Sequence, residues 1–163
     1  AILNVPHPAV FLGTLRTNPR QMWRSWYIAF FQLPRLPELG FSASNFAGGI
    51  KSLVASSRPG TFTSEDLEQY RRAWSNPGTV TAMINWYRAL FRNRPALPAD
   101  LKVHVPTHIL WGKRDIFLLP EMARQSVDLC DSAKLTYFPE ATHWLQHEEP
   151  DAVNAALIEH FRA

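Results

Sequence analysis

The chain opens on an apolar run, Ala1-Ile2-Leu3 with Val5 beyond Asn4, closed by Pro6-His7-Pro8. A run with no polar alternation is how a strand buried on both faces reads as it passes into a loop. From Asn18 to Arg94 the spacing becomes helical. Pro19 opens a segment whose apolar positions at Trp23, Trp26/Tyr27 and Phe30/Phe31 recur every three to four residues. Leu33-Pro34 and Leu36-Pro37 are expected to break that helix. A weaker helix is predicted over 45–56, with Gly48-Gly49 working against it. Thr63-Ser64-Glu65-Asp66 ahead of Leu67, Tyr70 and Trp74 predicts an N-cap at Thr63 with acids in the first turn. Asn76-Pro77 predicts a restart with proline at the first helical position, and Val80, Ile84, Tyr87 and Leu90/Phe91 stripe one face. Arg94-Pro95 and Leu97-Pro98 read as a linker.

Beyond Pro106 the pattern changes again. Thr107 to Trp111 predicts a short buried strand ending at Gly112, followed by the polar turn Lys113-Arg114-Asp115. A helix is predicted over 120–131, a second strand over 135–138, and an amphipathic closing helix from Pro150 through Val153, Leu157, Ile158 and Phe161. Strands alternating with helices imply an α/β fold with a parallel sheet. The expected organisation is a core strand over 1–13, an all-helical insertion over 14–97, and the rest of the α/β core over 98–163. Only about three strands are expected, the first with an edge that wants a neighbour. A start on a buried strand without an initiator Met implies material upstream, on the same chain or on a companion.

Composition narrows the class. Among 163 residues 46% are apolar and 19% charged, a globular balance. Six Trp, ten Phe and four Tyr suit a core and also an apolar pocket with a few polar handles. The net charge of +3 comes with scattered arginines rather than a basic run, which argues against nucleic acid. A single cysteine, Cys130, excludes an internal disulfide and reads as a buried thiol on the predicted 120–131 helix in a reducing compartment. No stretch reaches the roughly 18 apolar residues of a membrane span, and no export signal opens the chain, so the cytoplasm is expected and a membrane is not. No metal is expected: Pro106 separates His104 from His108, and His143 with His147 lacks an HExxH pattern.

Two positions carry candidate chemistry. Asp115 falls just past the C-terminal end of one predicted strand and His143 just past the next. Active groups gather at such strand ends in open α/β sheets. An acid followed by a histidine is also the order of an α/β-hydrolase triad, in which the acid fixes the imidazole tautomer. Alone, each reads as a turn residue or a bystander; together, in a strand–helix–strand frame, they are far more specific.

The helical insertion narrows this further. Trp26-Tyr27-Ile28-Ala29-Phe30-Phe31-Gln32-Leu33-Pro34 resembles the first lid helix of epoxide hydrolases, and Ile84-Asn85-Trp86-Tyr87-Arg88 resembles their later lid helix with its second tyrosine. Asn4-Val5-Pro6-His7-Pro8 resembles the approach to that lid. Over essentially its whole length the chain thus resembles the C-terminal portion of an α/β-hydrolase fold of the epoxide hydrolase family, carrying a helical lid.

The resemblance implies a mechanism. An aspartate on a sharp strand–helix turn would attack an epoxide carbon while Tyr27 and Tyr87 hydrogen-bond the leaving oxygen. His143, oriented by Asp115, would then activate water to hydrolyse the alkyl-enzyme ester to a vicinal diol, with no metal or organic cofactor. Trp26, Phe30, Trp86 and Trp144 would line a pocket for a small apolar epoxide. The chain departs from the family at one point: none of its seven glycines frames a Ser, Asp or Cys as a nucleophile elbow. The nucleophile is therefore expected from an N-terminal half, as a companion chain or a missing segment, and this chain alone is expected to be inactive. A haloacetate or haloalkane dehalogenase would use the same acid and histidine. Halide sites favour indole N–H donors, so Trp26 beside Tyr27 leaves that reading standing, whereas two phenols favour epoxides. An ester hydrolase with a serine nucleophile would also fit the acid and histidine, and a non-catalytic binding protein could retain the same fold.

Overall fold

The computed structural model describes residues 1–92 and 98–162. The elements run β1 (Ile2–Leu3), α1 (Pro8–Thr17), α2 (Pro19–Arg24), α3 (Trp26–Phe30), α4 (Leu36–Ser56), α5 (Ser64–Ser75), α6 (Thr79–Arg92), β2 (Thr107–Gly112), α7 (Glu121–Val127), β3 (Ala133–Phe138), α8 (Leu145–Glu148) and α9 (Pro150–Arg162). They form two compact units, one of Ala1–Arg24 with Leu97–Ala163 and one of Ser25–Ala96. The linker expected at Arg94-Pro95 and Leu97, and the boundary at 97, lie outside the described residues.

In the first unit three strands pair in parallel in the order β1-β2-β3. Ile109 of β2 sits between Ile2 and Leu135, which makes β2 the central strand. Every residue of β2 is buried, as an unbroken apolar strand of a parallel sheet requires. Side chains alternate across it. Ile109 and Trp111 pack with Leu119, Met122 and Ala123 on one face, and Leu110 packs with Ala141, Leu145 and Val153 on the other.

Among its described residues the second unit contains helices α3 to α6 and no strand. Its core is Ile28, Ile50, Leu53, Trp74, Val80 and Ile84, and Phe41 meets Trp74 edge-on with ring centroids 4.8 Å apart. Thr63 caps α5 as the sequence predicts, and Asp66 closes the capping box by accepting from the Thr63 backbone N–H.

Several local expectations are corrected. The first strand passes into a loop at residues 5–7 as expected, but that loop is short and Pro8 already begins α1, where its missing N–H costs nothing and the His7 ring accepts from Ala9 N at 3.1 Å. The segment from Pro19 to Phe31 is split at Ser25 into two short helices. Pro37 begins α4 rather than ending a helix, because proline is tolerated in a first turn; α4 itself is interrupted at Ala43–Phe46, where Ser44, Asn45 and Phe46 are left-handed. Pro77 belongs to a turn, not to α6: Gly78, at φ 81°, sets the reversal, and the helix starts at Thr79. Helix α7 stops at Val127, so Cys130 lies beyond it, half-buried, with Sγ 3.4 Å from Ser126 O. Among the described residues no helix is long and apolar enough to cross a membrane.

Candidate active site

Strand β2 ends at Gly112, and the chain turns tightly there, with Asp115 N bonding back to Gly112 O at 3.2 Å. A glycine is required because a Cβ would meet the backbone carbonyl oxygens of Thr142 and Ala141, the latter at 2.6 Å. This close approach brings the segment after β3 alongside the end of β2.

Asp115 is 2% exposed. Its Oδ1 accepts from the backbone N–H of Phe117 at 2.7 Å and of Leu118 at 3.0 Å. Its Oδ2 meets His143 Nδ1 at 2.7 Å and accepts from Asn4 Nδ2 at 2.8 Å. An ionised carboxylate is acceptor-only, so four donors satisfy it and fix its plane. With Nδ1 donating to Asp115, Nε2 of His143 is the nitrogen left to take a proton. Phe117 and Trp144 each meet the imidazole edge-on, at centroid separations of 5.2 and 5.6 Å.

Two further supports were not foreseen from sequence. Helix α2 braces the acid loop: Gln21, fully buried, donates to Phe117 O at 2.8 Å and accepts from Leu119 N at 3.1 Å, while Arg24 donates to Asp115 O at 2.8 Å. Glu148 braces the histidine loop, its carboxylate accepting from Thr142 N at 2.6 Å and Thr142 Oγ1 at 2.7 Å. The sequence signals are faint: a lone Gln on an apolar helix face, and an acid in a short helix after the histidine.

The second unit brings together the two tyrosines. Tyr27 on α3 and Tyr87 on α6 meet edge-on at 5.7 Å, and both rings pack against Phe31. Burial holds the Tyr87 phenol above its ordinary pKa, and a hydrogen bond from Tyr27 pulls the other way. Gln32 ties the two helices by donating to Ile28 O at 3.0 Å and to Tyr87 O at 3.1 Å. Arg88, beside Tyr87, donates to Phe31 O at 3.0 Å and Leu33 O at 2.7 Å and pairs with Glu38. That hydrogen-bonded pairing lowers the Glu38 pKa and raises that of Arg88. Of the expected pocket residues in this unit, Trp26 and Trp86 are exposed and Phe30 is half-buried; in the first unit Trp144 is half-buried beside His143.

No cluster of three His, Cys, Asp or Glu side chains able to hold a metal occurs among the described residues. His104, exposed, lies with Nδ1 2.6 Å from Asp131 and Nε2 3.1 Å from Asp100, and those bonds raise its pKa. His108 is buried on β2, 2.9 Å from Thr136 Oγ1, and burial lowers its pKa.

No protein-family model matches the chain. Among curated proteins it is 38% identical over 160 residues to the AB hydrolase superfamily protein YfhM of Bacillus subtilis, covering 98% of this chain and 56% of that protein. It is 39% identical over 166 residues to human epoxide hydrolase 4, covering 96% of this chain and 44% of the relative. Among solved structures, a mutant epoxide hydrolase from Bacillus megaterium superposes with a TM-score of 0.84 at 28% identity, over 99% of this chain and 59% of the other. The chain thus spans about half the length of the curated relatives it matches.

Proposed function

Because this chain belongs to the epoxide hydrolase family of the α/β-hydrolase superfamily, we propose that it supplies the base, the orienting acid and the oxygen-binding donors of an enzyme that opens epoxides to vicinal diols. The observation that carries this reading is the 2.7 Å contact between His143 Nδ1 and a buried, four-donor Asp115 at the ends of adjacent parallel strands. The nucleophile lies outside these 163 residues, in an N-terminal half that shares the chain or joins it as a companion.

In the proposed reaction a carboxylate nucleophile forms a C–O bond to one epoxide carbon as the ring C–O bond breaks. Tyr27 and Tyr87 donate hydrogen bonds to the ring oxygen, and one of them protonates it. Charge develops on that oxygen only as the ring opens, so these donors lower the barrier rather than merely tighten binding. Water then loses a proton to His143 Nε2 and attacks the ester carbonyl. As the intermediate collapses the imidazolium protonates the departing diol oxygen, and the proton left on the carboxyl is lost to solvent while the tyrosinate regains one, which restores the carboxylate, the imidazole and the phenol. Splitting the reaction at a covalent ester replaces one hard step with two easier ones. Trp26, Phe30 and Trp86 on the second unit, and Trp144 beside His143 on the first, each offer an apolar surface suited to a small aromatic or aliphatic epoxide. The protein works in the cytoplasm, without a metal or an organic cofactor.

The decisive experiment exchanges His143 for Gln in the completed protein and follows its intact mass with styrene oxide. Retention of one epoxide mass as a stable ester is expected. Halide release from haloalkanes or haloacids by the unmodified protein, without diol formation from epoxides, would replace this reading with the dehalogenase one, which Trp26 beside Tyr27 supports. No adduct and no turnover of either substrate would leave a binding protein on this fold.

A further inference from the structure

We propose that Asn4 is the positioning residue of the acid–histidine pair, its side-chain amide orienting the Asp115 carboxylate and pinning the backbone just before His143. This rests on the reading of His143 as the base. Asn4 is the first residue past β1, 1% exposed, and its backbone N–H donates to Leu110 O at 3.0 Å, one step beyond the strand pairing. Its φ of 45° lies in the left-handed region, which asparagine tolerates better than most side chains. That conformation turns the side chain across the ends of the neighbouring strands.

Every polar group of the amide is engaged. Oδ1 accepts from Gly112 N at 2.7 Å, which settles the amide's orientation, because a flip would set a carbonyl against the Asp115 carboxylate. Nδ2 then gives one proton to Asp115 Oδ2 at 2.8 Å and the other to Thr142 O at 3.0 Å. One side chain therefore joins the end of β2, the acid and the residue preceding the histidine. The same Asp115 oxygen meets His143 Nδ1, so the bond from Asn4 leaves that oxygen a single direction in which to accept from the imidazole. Alanine would offer none of these contacts. Aspartate would keep the shape and the acceptor but would lose both donors and set an anion beside Asp115.

Since Asn4 acts on the base and not on the nucleophile, its loss should slow ester hydrolysis and spare ester formation. The test uses the completed protein and two variants. Asn4→Gly keeps the left-handed backbone and deletes the amide; Asn4→Asp keeps the shape and deletes the donors. Both should fold, form the alkyl-enzyme ester from styrene oxide within about twofold of the original rate, and hydrolyse it on the order of 10²-fold more slowly, the scale of loss when a reacting group is displaced by about 1 Å. Without any substrate, nitrogen-15 NMR should show His143 protonated on Nδ1 with a hydrogen-bonded proton in the unmodified protein and a displaced resonance in both variants. The Asn4 amide protons should exchange slowly in the unmodified protein, a readout that needs no variant. Unchanged hydrolysis with an unchanged ring resonance, equal slowing of both chemical steps, or freely exchanging amide protons would overturn the proposal. If the unmodified protein forms no ester at all, the epoxide reading falls, and the ring resonance and amide exchange still decide Asn4.

Discussion

Asp115 is fully buried and Tyr87 half-buried, and the two units of the chain accommodate these polar groups in different ways. Asp115 draws four donors from three separate segments: Phe117 and Leu118 from its own loop, His143 from beyond β3 and Asn4 from beyond β1. Tyr87 is packed among rings, with Tyr27 as its phenol partner and Phe31 tilted against it at 5.0 Å. The difference follows from what each group costs to bury. A carboxylate without compensation costs many times more than a hydroxyl, so it must be enclosed in donors. A phenol carries an apolar body that offsets its burial and needs only one polar partner. The acid–histidine half is thus a rigid polar lattice in which each contact matters, and the tyrosine half is an aromatic cluster that tolerates loss.

Substitution at the two groups should expose that asymmetry most strongly. Asp115→Asn in the completed protein should lower the rate of ester hydrolysis on the order of 10⁴-fold, because an amide favours the wrong imidazole tautomer. Tyr87→Phe should lower the rate of epoxide opening by a smaller factor, on the order of 10²- to 10³-fold, with Tyr27 still donating. Single-turnover kinetics separates the two steps, and a larger loss for Tyr87→Phe would break the comparison.

Glycine substitutions give a middle-sized effect. In Gly112→Ala the new methyl meets backbone carbonyls that cannot move without displacing the histidine loop, and a cost of about 3 kcal/mol is expected. In Gly49→Ala it meets the rings of Phe41 and Trp74 at 2.8 and 2.9 Å, which can rotate away, so a cost of about 1 kcal/mol is expected. Urea denaturation of both variants measures the difference, and equal costs would mean that the aromatic unit is as unyielding as the polar one.

The smallest effect is a difference in pH response. His108 has its pKa lowered, chiefly by burial, with Lys134 and His160 adding to it. The unfolded chain therefore takes up that proton first, and stability should fall as pH drops below about 6.5 toward the folded value. Tyr87 has its pKa raised by burial, so the unfolded chain loses that proton first and stability should fall as pH rises above about 10. Thermal melts of His108→Gln and Tyr87→Phe should flatten the acid limb and the alkaline limb respectively. A flattened limb on the opposite side would reverse the assignment.

The residues proposed to act are legible from spacing more readily than the residues that hold them. Asp115 and His143 stand out because each follows an apolar strand run, and Tyr27 and Tyr87 because their surroundings match a lid. Arg88 reads in the sequence only as part of the lid motif, although it is buried and binds Phe31 O, Leu33 O and Glu38. Glu38 itself, 50 positions away, offers no local clue to that pairing.

The linear pattern was enough to specify an α/β fold with a helical insertion, the capped start of α5, and the strand ends where an acid and a histidine stand. Those features depend on periodicity and on turn and cap preferences, which act over a few residues. Tertiary structure alone decided that Pro8 starts a helix, that the 19–31 segment breaks at Ser25, and that Asn4 joins Asp115 across 111 positions and Thr142 across 138. The reason is that a buried amide or carboxylate is satisfied by whatever donors the sheet register brings beside it. That register belongs to the assembled strands and not to any one stretch of chain.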